Sequence, residues 1–416
     1  MSGISGTNAW RPRVALVGLA GYGATHVRTA RELQAAGVLE IVAGADLDPD
    51  ASRELPEQAE FSTDYRAMLG STRPDVTVIA TPPHTHAEIA AVAARAGSDI
   101  LLEKPPLVSR AEHDELARIL DRTGIACQVG FQTLVSPAMR ELLRLCAAGG
   151  IGRLTEVTAT GGWVRTSGYY DRAAWAGHRV LGGRVVADGV ATNPFAHVVM
   201  NVLEIVAAAR PGAEPRWLEA ETYRCADIDT DDTACIRLGF DDDVTAVIAL
   251  TLRADTASQP RITVRGSLAD VTYTVGSPIE IRAHAADTDP VATPAVLVEE
   301  AGAAQGLLEN LVEHRRSSGR VPLLVPLART AAFTAFLESM MTTAVHRVPA
   351  SWLRTMPVAP GRDRRTHDGV RVVLRGVSEA IAESGASGSL FSELGLPWAQ
   401  PPTRVDIAAA EVTDVY

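Results

Sequence analysis

The sequence predicts a two-domain α/β protein: a doubly wound parallel sheet at the N-terminus, then an α/β domain on a large, mostly antiparallel open sheet. Three observations carry this prediction. Over the first 130 residues, short apolar strands alternate with helical patterns across short connections, as in parallel βαβ units. Beyond residues 132–137 strand-like segments follow one another with turn residues between them. At 416 residues the chain is also long for one hydrophobic core, which makes two domains the natural division.

Taken in order, Val14–Val17 reads as a buried strand and His26–Ala36 as a helix. Ile41–Ala45 and Val76–Ala80 are the next strands, and His86–Ala96 is the next helix. A strand through Ile100, Leu101 and Leu102, a helix over Glu112–Leu120 and a strand over Ile125–Val129 complete a first domain, residues 1–135. A helix from Pro137 to near Ala148 opens the second, residues 136–349. Its strands are Val157–Val164, Glu219–Cys225, Thr233–Phe240, Val244–Thr251, Arg261–Arg265 and Asp270–Thr274, with Asp241–Asp243 as a hairpin turn. Helices are expected near His197–Val206 and Leu307–Val312. The most apolar long stretch, Leu323–Val345, contains Arg329 and Glu338. It is too charged to span a bilayer and reads as a buried helix. Residues 350–416 form a proline-rich extension packed on the core, with one helix expected over Val370–Ala380.

A net charge of −11 argues against nucleic acid or an anionic membrane as a partner, since both require basic surfaces. Cys127, Cys146, Cys225 and Cys235 form no C-x-x-C pair, which fits a reducing cytoplasm better than disulfides or zinc. The segment Met1–Trp10 has no apolar signal core, and a cytoplasmic location is expected.

Chemistry concentrates at the ends of the predicted parallel strands. The first runs into Gly18-Leu19-Ala20-Gly21-Tyr22-Gly23 and then a helix, a dinucleotide fingerprint with alanine at its second glycine position. Gly18 permits the tight turn, Ala20 is small enough for phosphates to approach, Gly21 adds freedom, and Gly23 lets helix and strand come close. The helix N-terminus then offers N–H groups to a pyrophosphate. Asp46 ends the second strand, where an acid would bind the ribose hydroxyls and repel a 2′-phosphate. No arginine follows in Leu47-Asp48-Pro49-Asp50, so NAD fits better than NADP. Thr81-Pro82-Pro83-His84-Thr85-His86 follows the third strand at the same edge. There His86 either starts a helix or touches the cofactor.

Among thirty-nine basic residues there is one lysine, Lys104, in Glu103-Lys104-Pro105-Pro106. Arginine cannot release its proton near neutral pH, whereas a partly desolvated lysine can. A single lysine at a strand's C-terminal edge therefore marks a place where a titratable ammonium is needed.

With the Gly18 loop, Thr81-Pro82, Glu103-Lys104-Pro105 and Gly130-Phe131-Gln132 leading to Pro137 in this order, the chain resembles the Gfo/Idh/MocA family of nicotinamide-dependent oxidoreductases. The resemblance covers about residues 10–345. It implies a Rossmann domain, a second domain whose open sheet mediates a homodimer or homotetramer, and a small sugar, polyol or related hydroxy compound as substrate. It places Tyr22, Thr81, Pro82, His86, Glu103 and Gln132 with the cofactor, and Lys104 beside the nicotinamide and the reacting hydroxyl.

The family's second catalytic element, an aspartate and a histidine four residues apart, is matched by Asn193-Pro194-Phe195-Ala196-His197. Pro194 suits a first helical position, which would make Asn193 the N-cap and put Asn193 and His197 on one face. His197 then serves as acid/base, with Asn193 orienting the substrate. Two departures stand out: asparagine replaces aspartate at 193, and Leu134 stands where many relatives carry arginine. Asp188 offers a replacement carboxylate. The stretch Trp163-Val164-Arg165-Thr166-Ser167-Gly168-Tyr169-Tyr170-Asp171-Arg172, then Trp175, suits sugar or anionic-ring recognition through Arg165, Tyr169 and Tyr170, or a subunit contact. Asp227, Asp229, Asp231 and Asp232 read as a solvated acidic turn, lacking the glycine and glutamate of a calcium loop. No metal is expected. Arg362–Asp368, with His367, either covers the site or lies on the surface. Two alternatives to net dehydrogenation stay open: transient oxidation with a retained NAD, and a non-catalytic NAD-binding regulator.

Overall fold

The computed structural model describes residues 10–284, 303–358 and 369–407; the segment Arg362–Asp368 lies outside them. These residues form two compact units. The first holds residues 10–107, 111–132 and 303–329, and the second holds 108–110, 133–284, 330–358 and 369–407.

The first unit is a six-stranded parallel sheet in the order β3-β2-β1-β4-β5-β6. Its strands are β1 (Arg13–Val17), β2 (Glu40–Ala45), β3 (Glu60–Ser62), β4 (Val76–Ile79), β5 (Asp99–Leu102) and β6 (Cys127–Val129). Helices α1 (Gly23–Ala35), α2 (Tyr65–Thr72), α3 (His86–Arg95) and α4 (Arg110–Thr123) make the crossovers. β1, β4 and β5 are buried almost throughout, which explains their continuous apolar runs. β3 and α2 were not among the expected elements. A capping signal marks α2, because the Asp64 carboxylate accepts the Arg66 N–H at 2.8 Å. The strand order reverses between β1 and β4, and the crevice at such a switch point is where ligands bind.

The expected domain division departs from the structure at 303–329, which belongs to the first unit rather than the second. Wholly buried Gln128 on β6 explains the return. Its amide donates to Leu307 O at 2.6 Å, and its carbonyl accepts the N–H groups of Leu324 and Val325 at 2.9 and 3.0 Å. The helix Ala303–Arg316 adds buried Leu307, Leu308, Leu311 and Val312.

The second unit is built on a nine-stranded sheet. Across it run Glu280–Ala283, Ala269–Thr274, Arg253–Gly266, Leu154–Val164, Thr245–Thr251, Thr233–Phe240 and Pro215–Arg224. Val345–Arg347 and Thr403–Asp406 both pair with Pro215–Arg224. The sheet is mostly antiparallel, with parallel pairing between Leu154–Val164 and Thr245–Thr251 and along Val345–Arg347. Successive strand residues face opposite sides. Gly161 meets the Phe195 ring on one side, while Thr158 donates to Gly385 O at 2.8 Å on the other.

Two expected helices are corrected. Val370–Ala380 is instead a strand, Gly369–Leu374, followed by a helix, Val377–Ser387. The β-branched run pairs with Leu353–Val358, and Gly376 at φ 74° breaks it. Leu323–Val345 is α-helical only over Ala331–Met340, after a short 3-10 turn at Leu327–Thr330. Pro326 disfavours helix in the residue before it, and the end of the stretch joins the sheet. The extension seals one sheet face: Leu374, Val377, Ile381, Leu390, Phe391 and Trp398 are buried with Tyr223, Cys235, Val247 and Ala249.

Candidate functional site

In the first unit, the loop from β1 to α1 is shaped by its glycines. Gly18 takes φ 85°, and a Cβ there would lie 2.7 Å from Ala80 O. A Cβ on Gly23 would collide with the Gly18 carbonyl, whose carbon would be 2.8 Å away, so α1 starts directly against β1. Gly21, at φ 59°, has open space where its side chain would be. Asp46 at the end of β2 accepts the N–H groups of Leu19 and Ala20 at 2.8 and 3.3 Å, and that of Asp48 at 3.0 Å. A strained glycine turn, an open surface, a helix N-terminus and a carboxylate at the next strand end suit a pyrophosphate and a ribose. The residues present fit NAD.

Behind this loop, Glu103 is buried and holds two hydrogen-bond partners. His26 Nε2 lies 2.8 Å from Oε1, and the Lys104 N–H donates to Oε2 at 3.0 Å. Gly130 makes room, because a Cβ there would sit 2.6 Å from Oε1. Burial works against ionisation of Glu103, but the His26 hydrogen bond and charge, with Lys104, outweigh it and hold its carboxyl below the ordinary range. Lys104 itself is partly buried at the C-terminal edge of β5. Tyr22 packs edge-on against His26 at 5.4 Å, and its hydroxyl accepts from Gln132 Nε2 at 2.5 Å. Thr81 Oγ1 accepts from the Thr85 hydroxyl at 2.7 Å, and Pro82 O accepts the Thr85 N–H at 2.9 Å.

His86 corrects an expectation of cofactor contact. It is wholly buried, with Nε2 at 2.8 Å from Thr81 O and Nδ1 at 3.0 and 3.2 Å from Pro105 O and Pro106 O. Both ring nitrogens are committed to backbone, so His86 ties the Thr81-Pro82 turn to the segment after Lys104.

In the second unit, Asn193 and His197 stand at the start of a helix, but that helix begins at Ala196. Asn193 is therefore not its N-cap. Its amide donates instead to Asp188 Oδ1 at 2.7 Å. Asp188 is 2 % exposed and also receives Arg172 Nη2 at 3.1 Å and the Gly177 N–H at 2.7 Å. It sits beside Asn193 as a carboxylate, but its burial behind these partners keeps it from direct substrate contact. Burial pushes its carboxyl up, and Arg172, Gly177 and Asn193 only partly offset that. His197 is half-buried, and its Nδ1 lies 3.4 Å from Thr133 Oγ1. Thr133 in turn reaches Asn201 Oδ1 at 2.9 Å. Leu134 is buried.

The aromatic stretch forms a cluster. The Arg165 guanidinium lies 4.9 Å from the Trp163 ring centroid and 5.0 Å from that of Tyr169. Arg172 covers Tyr169 at 3.8 Å and Trp175 at 4.8 Å, and Arg253 lies over Tyr170 at 5.2 Å. Trp163 stacks on Phe195 at 4.0 Å. The acidic turn is corrected here. Asp231 and Asp232 are buried; Asp232 pairs with Arg253 at 2.7 Å and Asp231 with Arg179 at 3.7 Å. Each charge is neutralised inside the fold, and only Asp227 and Asp229 stay in water.

Residues 12–131 match the family model described as an oxidoreductase family with an NAD-binding Rossmann fold. Residues 139–272 match the GFO/IDH/MocA C-terminal domain. The chain belongs to the Gfo/Idh/MocA oxidoreductase family. It is 34% identical over 102 residues to scyllo-inositol 2-dehydrogenase (NAD(+)) of Bacillus subtilis, covering 24% of this chain and 30% of that one. It is 30% identical over 145 residues to inositol 2-dehydrogenase 1 of Saccharopolyspora erythraea, covering 34% and 42%. These matches span less than half of each relative. Among solved structures, the WlbA dehydrogenase of Bordetella pertussis, bound to NADH and UDP-GlcNAcA, superposes with a TM-score of 0.64 at 21% identity. That superposition covers 79% of this chain and 94% of that one, and it shows a shared fold.

In this Gfo/Idh/MocA protein the sequence had not singled out His26, Thr133, Asn201 or Arg253. His26 and Glu103 are 77 positions apart, and Thr133 and Asn201 are 68 apart. No local pattern announces either pair. Among the described residues, no helix is long and apolar enough to cross a membrane.

Proposed function

We propose that the protein is an NAD-dependent oxidoreductase that oxidises a secondary alcohol, or reduces the matching ketone, on a sugar, polyol or sugar-like metabolite. One observation carries this reading. The only lysine of the chain has its backbone N–H fixed by buried Glu103 at the C-terminal edge of β5, in a sheet whose first loop fits a dinucleotide. Bound nicotinamide supplies the hydride acceptor or donor. The protein must then handle the hydroxyl proton, which leaves as hydride departs from the same carbon.

Lys104 is assigned to that oxygen, polarising it and exchanging its proton. His197 is assigned as the acid/base partner in the second unit, with Asn193 orienting substrate and Asp188 holding the Asn193 amide in place. Four buried free thiols suit a reducing cytoplasm. Lys104→Arg keeps the charge and loses the exchangeable proton. Turnover should fall at least about a hundredfold on a panel of inositols, pentoses, hexoses and their acids, with NADH affinity unchanged. Wild-type turnover in this variant would remove Lys104 from the chemistry.

A further inference from the structure

Four arginines lie in and around the aromatic cluster of the second unit, and three have a buried carboxylate. Arg172 pairs with Asp188, Arg179 with Asp231 and Arg253 with Asp232. Arg165 has no acidic partner among the described residues. Its Nη1 donates to Val164 O at 3.0 Å, and its Nε is buried with no partner. Two rings bracket the guanidinium, and flat cations stack well in this way. The polar surroundings are also incomplete. Arg253 is 1 % exposed and donates Nη1 to Arg165 O at 3.1 Å, yet its Nη2 is buried without a partner, as is the Tyr170 hydroxyl.

Arg165 is half-buried, with its Nε shut off from water, and a guanidinium held partly out of water without a counter-charge carries a desolvation cost. A fold that neutralises three neighbouring arginines and not the fourth leaves that cation for something else. Position supports a substrate role. Trp163, under Arg165, stacks on Phe195, two residues before His197.

We propose that Arg165 is an anion receptor and that the substrate carries a carboxylate or phosphate that seats on it, making the substrate class acidic sugars or polyols rather than neutral ones. The guanidinium fork matches either oxyanion bidentately, and the flanking rings offer apolar faces to the sugar. This inference rests on the oxidoreductase reading above.

The test is calorimetric titration of the full-length protein, with and without saturating NADH, using D-glucuronate, glucose 6-phosphate and D-glucose. At least one of the two acids is expected to bind about tenfold or more tighter than glucose, and which one it is separates carboxylate from phosphate. Arg165→Met should erase the preference and Arg165→Lys should keep part of it, with NADH affinity the same in all three proteins. Equal binding of acids and glucose, binding of neither acid, or a preference that survives Arg165→Met would overturn the proposal. Loss of NADH binding in the wild type would instead defeat the oxidoreductase reading, and the nucleotide-free titration would still judge Arg165.

Discussion

Glu103 and Asp188 are both buried carboxylates, yet their surroundings drive ionisation in opposite directions. Burial opposes the charge in each case. At Glu103 the His26 contact and Lys104 overcome it, and at Asp188 Arg172 and the neutral donors do not. A carboxyl depressed in the folded state stabilises the fold above the ordinary carboxylate range, and that contribution is lost as pH falls through the folded value. Glu103→Gln should therefore cost about 1.5–3 kcal/mol at pH 7, the scale of a charge-assisted hydrogen bond. The gap to wild type should close as pH falls below the usual carboxylate range. Denaturant melts at successive pH values would check this, and a gap independent of pH would show that Glu103 is not ionised in the fold.

At the scale of elements, the β1–α1 junction is the most constrained piece of the first unit. Gly23 brings the helix start against the Gly18 carbonyl, which is backbone and has little freedom to move. Gly23→Ala should push α1 off β1 and weaken NADH binding at least about tenfold, because the helix N–H groups no longer converge on the phosphates. Gly21→Ala meets open space and carries only the strain of φ 59°, so its effect should be smaller. Fluorescence titration with NADH would rank the two; a larger loss at Gly21 would contradict the packing argument.

At the scale of the molecule, the second unit does not leave its sheet bare. The resemblance implied an open sheet available to a second subunit, but here the chain's own extension occupies one face. Phe391 is wholly buried and packs with Tyr223 and Trp398 at centroid distances of 6.5 and 5.3 Å. Phe391→Ala should destabilise the second unit by about 3–5 kcal/mol, seen as an earlier denaturant transition. A change below about 1 kcal/mol would mean the extension is not integral to that core.

The alternation of strands and helices, the glycine loop and the acid at the end of β2 were legible in the chain, because each depends on residues within one or two turns, whereas the helix start at Ala196 left Asn193 outside the helix that the spacing predicted. Periodicity and turn chemistry act over that range. The same locality misplaced Val370–Ala380, where one left-handed glycine divides a strand from a helix, and it missed the return of 303–329 to the first sheet. Only the tertiary structure decided which charges are neutralised within the fold. The Asp231–Asp232 pair reads as a solvated turn until Arg179 and Arg253 close on it, and His86 reads either as a helix start or as a cofactor contact until three carbonyls around its ring, at the first residue of α3, decide for the former. Those partners are brought together by packing of distant segments, and burial, not sequence spacing, sets what each charge then requires.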